Sequence, residues 1–109
     1  MTIDNLTIGE LKEITQLING ETIQLPFKVG EKYLFRTVTH YDVGEITAIN
    51  GAFVTLKDAS WIPDTGRYHD CLATGEFDEI EPYPNGVFVN TAATVDAAPW
   101  PHPLPREKK

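Results

Sequence analysis

The sequence predicts a mainly β domain with one N-terminal α-helix and a short helical insertion, on three observations. Residues 31–58 are dominated by aromatic and β-branched side chains broken by turn signals, the pattern of a strand meander. Residues 7–19 carry apolar side chains at three- and four-residue steps, the period of an amphipathic helix. A chain of 109 residues with 41% apolar and 23% charged side chains suits one folded domain with a single modest core.

The helix is expected over residues 7–19. Thr7 and Glu10 have the spacing of a capping box, in which each side chain satisfies an orphan amide at the helix start. Ile8, Leu11, Ile14 and Ile18 form one apolar stripe, and Asn19-Gly20 supplies a left-handed stop. One greasy face requires a partner, either the body of the domain or another chain. After a connector with Pro26 and Gly30, a first strand is expected over residues 31–41, with Tyr33, Phe35 and Tyr41 facing one way and Leu34 and Val38 the other. A strand apolar on both faces is covered on both.

A turn at residues 42–44, a second strand over 45–49, a two-residue hairpin at Asn50-Gly51 and a third strand over 52–58 complete the meander. Val54 and Leu56 share one face of that third strand, Phe53 and Thr55 the other. Residues 59–85 read as an insertion. Within it, residues 67–74 make two helical turns ending at Gly75, and an acidic run holds Glu76, Asp78, Glu79 and Glu81. Two short strands follow over 87–90 and 93–97, with Val87, Val89, Ala93, Val95 and Ala97 inward. These parts make one domain over residues 1–98. Residues 99–109 form a tail with proline at every second position from Pro99 to Pro105, which favours an extended polyproline conformation.

The order of helix, three-stranded meander, interruption and two closing strands is similar to the Sm-like small barrel, a subtype of the SH3-like barrels. The residues that carry the resemblance are Val29-Gly30-Glu31-Lys32 through Gly44, Asn50-Gly51 and Leu56-Lys57-Asp58-Ala59, then Val87-Phe88-Val89-Asn90 and Thr94-Val95-Asp96. It implies a five-stranded barrel capped by the N-terminal helix, with the short helical insertion between strands three and four. It also implies rings closed by pairing of the fourth and fifth strands. The second motif lacks the basic residue that RNA-binding members carry after the apolar run, so no RNA-binding residue transfers. Leu6-Thr7-Ile8-Gly9-Glu10, Asp58-Ala59-Ser60-Trp61-Ile62, Asp64-Thr65-Gly66-Arg67 and His102-Pro103-Leu104-Pro105 also resemble small uncharacterised proteins of phage and environmental genomes. That likeness supplies context and no mechanism.

Composition narrows the function. Sixteen acids against nine bases give a net charge of −7, and without residues 106–109 six bases face fifteen acids, a net −9. Such a body argues against phosphate-backbone binding, although Tyr33, Phe35, Tyr41 and Phe53 lie near Lys28, Lys32 and Arg36 in sequence. One cysteine excludes an internal disulfide and a cysteine-based zinc site. His69-Asp70-Cys71 holds nucleophile and base types, yet helix neighbours face each other only three or four residues apart. His40, His69 and His102 lack short metal-ligand spacing, and the acidic run lacks the alternation of a calcium loop. No glycine-rich phosphate cradle is present. No catalytic, cofactor-binding or metal-binding residue is therefore assigned, and an enzyme is not expected. Residues 1–20 do not read as a secretory signal and no apolar run suits a membrane helix, so a cytoplasmic protein is expected, including a host cytoplasm or a virus particle.

Protein–protein contact fits best. Trp61 and Trp100 lie beside proline-containing segments outside the expected core, and a large aromatic on stiff backbone loses little entropy on docking. Phe53 and Phe88 fall opposite the inward residues of their strands, and the tail with Pro101 and Pro103 can strap another chain. The expected interface is thus Phe53, Trp61, Phe88, Trp100, Pro101 and Pro103. The expected function is self-assembly into a ring or array in a structural or accessory role on a phage or mobile element, with the chain itself as the partner. The alternatives are an acidic adaptor or inhibitor that occupies a basic face of a partner protein, and an RNA-binding Sm-like barrel.

Overall fold

The computed structural model describes residues 25–109, and the helix expected over residues 7–19 lies outside the described residues. The elements are β1 (Lys32–Thr37), β2 (Tyr41–Asn50), β3 (Phe53–Asp64), the helix α1 (Tyr68–Thr74), β4 (Glu79–Pro82), β5 (Val87–Asn90), a 3-10 turn (Thr91–Ala93) and β6 (Thr94–Pro99). Among the described residues the fold is mainly β, with six strands in one open antiparallel sheet rather than a closed barrel of five. The path runs β4-β3-β2-β1-β6, and β5 also pairs with β3. The extra strand follows from the length of β3. Its first half, residues 53–56, pairs with β5, and its second half, residues 60–64, pairs with β4 along the same edge.

Expected boundaries shift for local reasons. The first strand ends at Thr37, because the Thr37 hydroxyl donates to the His40 carbonyl at 3.0 Å and accepts from the amides of Thr39 and His40 at 3.3 and 3.1 Å. That turn takes the place of strand pairing for Val38 and Thr39 in spite of their β-branched side chains, and it leaves Val38 86% exposed. Gly44, expected in a turn, sits inside β2, where a Cβ would lie 3.0 Å from the Cβ atoms of both Leu56 and Ala59. The hairpin after β2 turns at Gly51-Ala52 and is closed by the pair Asn50–Phe53. Only its first central residue has positive φ, as a II′ rather than a I′ turn requires.

The third strand runs past Asp58 because of a bulge. Asp58 has φ +50, a conformation that Asp tolerates through its short polar side chain. The pairing with β2 jumps there from Glu45–Lys57 to Val43–Ser60. The extra residue reverses the facing of β3: Val54, Leu56 and Ala59 share one core, whereas Ile62 enters another. β4 was hidden in the acidic run, whose one aliphatic residue, Ile80, is buried there.

The sheet has a core on each face. The inner core holds Tyr33, Phe35, Ile46, Val54, Leu56, Ala59 and Val89. The outer core holds Leu34, Val43, Ile62, Cys71, Phe77, Ile80 and Trp100. Tyr33 and Phe35 against Leu34 divide as their alternation dictates. Tyr41 joins the outer core instead, since the Thr37–His40 turn breaks the alternation before it. Val95 and Ala93, expected inward, are exposed, because the 3-10 turn and a bulge at Arg36–Thr37 displace the start of β6.

Candidate functional site

The outer face of the sheet is covered over one half. There α1 and the tail lie against Leu34, Val43 and Ile62. The helix contributes the buried Cys71 and stops at Gly75, whose φ of +80 lets its amide bond the Cys71 carbonyl. Trp100 stacks on Phe77 with ring centroids 5.0 Å apart and planes 9° from parallel. The His102 ring meets Trp100 edge-on at 4.9 Å and bonds the Leu72 carbonyl at 2.8 Å. Ile80 and Lys109 exchange two backbone hydrogen bonds of 3.0 Å.

The other half of that face carries Phe53 and Phe88. Phe53 pairs with Asn90 and Thr55 with Phe88, so the two rings sit diagonally across adjacent strands on one face. Phe53 is 48% exposed and Phe88 73%. Among the described residues, β5 pairs with β3 alone and β6 with β1 alone, so each presents an outer edge.

The expected interface residues thus separate. Phe53 and Phe88 come together and are exposed. Trp61 is exposed but lies at the other end of β3 and on the opposite face, because of the bulge at Asp58. Trp100, expected outside the core, is 2% exposed: its ring fills the space between Phe77 and His102 within one chain. Pro101 and Pro103 are exposed on a tail that lies back on its own domain.

A polar cluster that the sequence did not disclose lies at the rim of the inner core. Asp42 is 4% exposed and its carboxylate is held at both oxygens. The Tyr83 hydroxyl donates to one at 2.7 Å, and His40 Nε2 lies 3.2 Å from the other. His40 Nδ1 is 2.9 Å from the Thr39 hydroxyl, and Trp61 meets the imidazole edge-on at 6.2 Å. Burial, and then the hydrogen bond to Asp42, raise the Tyr83 phenol well above its ordinary range. Hydroxyl, imidazole and carboxylate in a row are the groups of nucleophilic catalysis. Here they stand on a tight turn, and two grooves among the described residues are lined by other side chains. What the row does is tie the β1–β2 turn to the segment after β4. Its only sequence trace is an acid between an aromatic and an aliphatic neighbour, at the start of the turn expected over residues 42–44.

The larger groove, of about 740 Å³, has Phe27, Tyr33, Pro99 and Pro101 on its walls and Lys28, Lys32 and Glu45 among its charged groups. Lys32 donates to the His102 carbonyl at 2.6 Å, and Arg36 forms a two-pronged ion pair with Asp96. Two of the three clustered bases are therefore engaged within the chain, and Tyr33 and Phe35 are buried away from any base to stack on. His40, His69 and His102 lie on a turn, a helix and the tail, and the described residues contain no group of three or more potential metal ligands. Cys71 is buried while the neighbouring His69 is exposed, and burial pushes the thiol up to about 11. Among the described residues, no helix is long and apolar enough to cross a membrane. Comparison of the chain with protein-family models, with curated proteins and with solved structures finds no match.

Proposed function

We propose that this chain is a non-enzymatic structural or accessory protein that assembles with copies of itself, through the half of the outer face that carries Phe53 and Phe88. The observation behind this reading is the placement of two large exposed aromatic rings on neighbouring strands, beside an edge of β5 that no strand among the described residues pairs. Exposed apolar surface next to an unpaired strand edge favours association, because docking removes both from water. The resemblance to Sm-like barrels points the same way. The bulges in β2 and β3 supply the bending that small barrels need, and the edges of β5 and β6 are where such proteins join into rings. The likeness to small phage and environmental proteins makes a mobile-element role our reading of the biology.

Multi-angle light scattering tests this. The wild-type chain is expected to run as a multiple of its 12.2 kDa mass, and the double variant Phe53→Ser, Phe88→Ser as a smaller species. A wild-type chain that stays a single molecule at high concentration overturns the proposal. A second reading, an acidic adaptor that covers a basic face of a partner, draws on Glu76, Asp78, Glu79 and Glu81, all exposed within the insertion. Rising salt weakens that complex and leaves apolar self-assembly in place.

A further inference from the structure

We propose that Asn50-Gly51, at the hairpin between β2 and β3, is a self-modification site: spontaneous loss of ammonia from Asn50 puts a carboxylate beside Phe53 and loosens the association of copies. The site stands on the hairpin's own geometry, and its effect on association rests on the self-assembly reading.

The reaction is intramolecular. The backbone nitrogen of Gly51 attacks Asn50 Cγ, the new N–Cγ bond closes a succinimide ring, and the Cγ–Nδ2 bond breaks. Nδ2 leaves as ammonia with the proton that the Gly51 nitrogen gives up. Water then opens the ring at either carbonyl, to aspartate or to isoaspartate, whose main chain is longer by a methylene. Nothing is oxidised or reduced, and water is the only other reactant. Attacking and attacked groups on adjacent residues need no encounter.

Sites differ in whether the attacking nitrogen is accessible and unbonded, and in what surrounds its residue. Asn50, Gly51 and Ala52 are all exposed. A Cβ built on Gly51 would meet nothing within 4 Å, so the peptide has room to swing toward the Asn50 side chain. The Thr91 amide and hydroxyl hold the Ala52 carbonyl, at 2.8 and 2.6 Å, which pins the turn at the next residue. Neither the Gly51 amide nor the Asn50 side chain has a hydrogen bond among the described residues. Asn85 also precedes a glycine, but the Gly86 amide donates to the Tyr83 carbonyl at 3.4 Å. A Cβ on Gly86 would lie 2.6 Å from the Leu56 carbonyl oxygen, so that peptide is pressed against β3. Asn90 Oδ1 accepts from the Ala92 amide at 3.0 Å, and the Thr91 amide is engaged by Ala52.

The consequence follows from the register. Asn50 is the partner of Phe53 across the hairpin, which sets their Cβ atoms about 5 Å apart on one face. Phe53 is in turn diagonal to Phe88. A carboxylate at Asn50 must be stripped of water before the two rings dock, and a neutral amide carries a far smaller penalty.

Peptide mapping by mass spectrometry tests the chemistry, on the full chain stored dilute at body temperature in heavy-oxygen water. Opening of the ring writes heavy oxygen into the product. Asn50, in the tryptic peptide of residues 37–57, is expected to convert about tenfold faster than Asn85, with isoaspartate among the products. Asn19-Gly20 lies outside the described residues and falls in a separate tryptic peptide, residues 13–28. If Asn50 does not convert in the folded chain, or if Asn85 converts as fast, the site is overturned. Light scattering tests the effect. Asn50→Asp is expected to run as a smaller species than the wild type, and Asn50→Gln, whose longer side chain closes its ring far more slowly, to hold the wild-type size through storage. If Asn50→Asp assembles as the wild type does, the link to association is overturned. If the wild type is a single molecule at every concentration while Asn50 converts, the self-assembly reading falls and the modification site stands. Should Asn50→Asp not fold, stored wild-type chain fractionated by charge gives the same comparison.

Discussion

One face of the sheet is treated in two ways. Over Leu34, Val43 and Ile62 it is roofed by α1 and the tail, and its residues are fully buried. A few residues away along β3 it ends in Phe53 and Phe88, open to solvent. Both halves are equally greasy in sequence. The difference lies in which half the insertion and the tail cover: the insertion continues from β3 beside β4, and the tail leaves β6 at the opposite edge and runs back to β4. A side chain's exposure in a small β protein is thus decided by what the connections cover, and less by its own hydrophobicity.

The largest expected effect comes from opening the roof. Phe77→Ala removes the ring on which Trp100 stacks and should cost about 3–5 kcal/mol in chemical denaturation. The counterpart Phe88→Ala should change monomer stability by less than about 0.5 kcal/mol. Equal losses at the two sites would break the comparison. Next comes the rim of the inner core. Asp42→Ala leaves the Tyr83 hydroxyl and His40 Nε2 without their acceptor, and should cost about 1–3 kcal/mol.

The roofed half also predicts a pH effect. Burial raises the Cys71 thiol from 9.0 to about 11, so the folded chain holds a proton that the unfolded chain gives up between those values. Stability is unaffected below pH 9 and falls as the pH rises toward 11, and Cys71→Ser should flatten that fall in urea melts run at several alkaline pH values. In the folded chain at neutral pH, the thiol should also resist alkylating reagents that modify it promptly in urea. The smallest effect is expected at Ser60, whose hydroxyl is fully buried with no hydrogen-bond partner among the described residues. Ser60→Ala should be neutral or raise stability by up to about 1 kcal/mol.

Much of the meander was legible because it depends on neighbours in sequence. The alternation of Val54 and Leu56 against Phe53 and Thr55, the strand over residues 87–90 and the helix that stops at Gly75 all follow from local pattern and turn chemistry. What escaped depends on distant partners. Trp100 beside two prolines reads as an exposed anchor until Phe77, twenty-three residues earlier, arrives beneath it. Asp58 reads as a strand end, and only the shift in register with β2, from Glu45–Lys57 to Val43–Ser60, shows that the chain takes a left-handed residue there and continues. Asp42 reads as a turn acid because its partner Tyr83 lies forty-one residues away. The exposed pair Phe53 and Phe88 was readable in each strand separately, and their adjacency required the register between β3 and β5.

The roof over the outer core has a consequence for synthesis. Its last pieces, Trp100 and Leu104, come from the end of the described chain, while the surface they cover is laid down by residues 34–62. On the ribosome, Leu34, Val43 and Ile62 therefore have only Cys71, Phe77 and Ile80 to cover them until residues 100–104 emerge, and closing so long a loop is slow. The nascent chain is most prone to aggregate during that interval, which makes the tail a determinant of yield as well as of the finished fold.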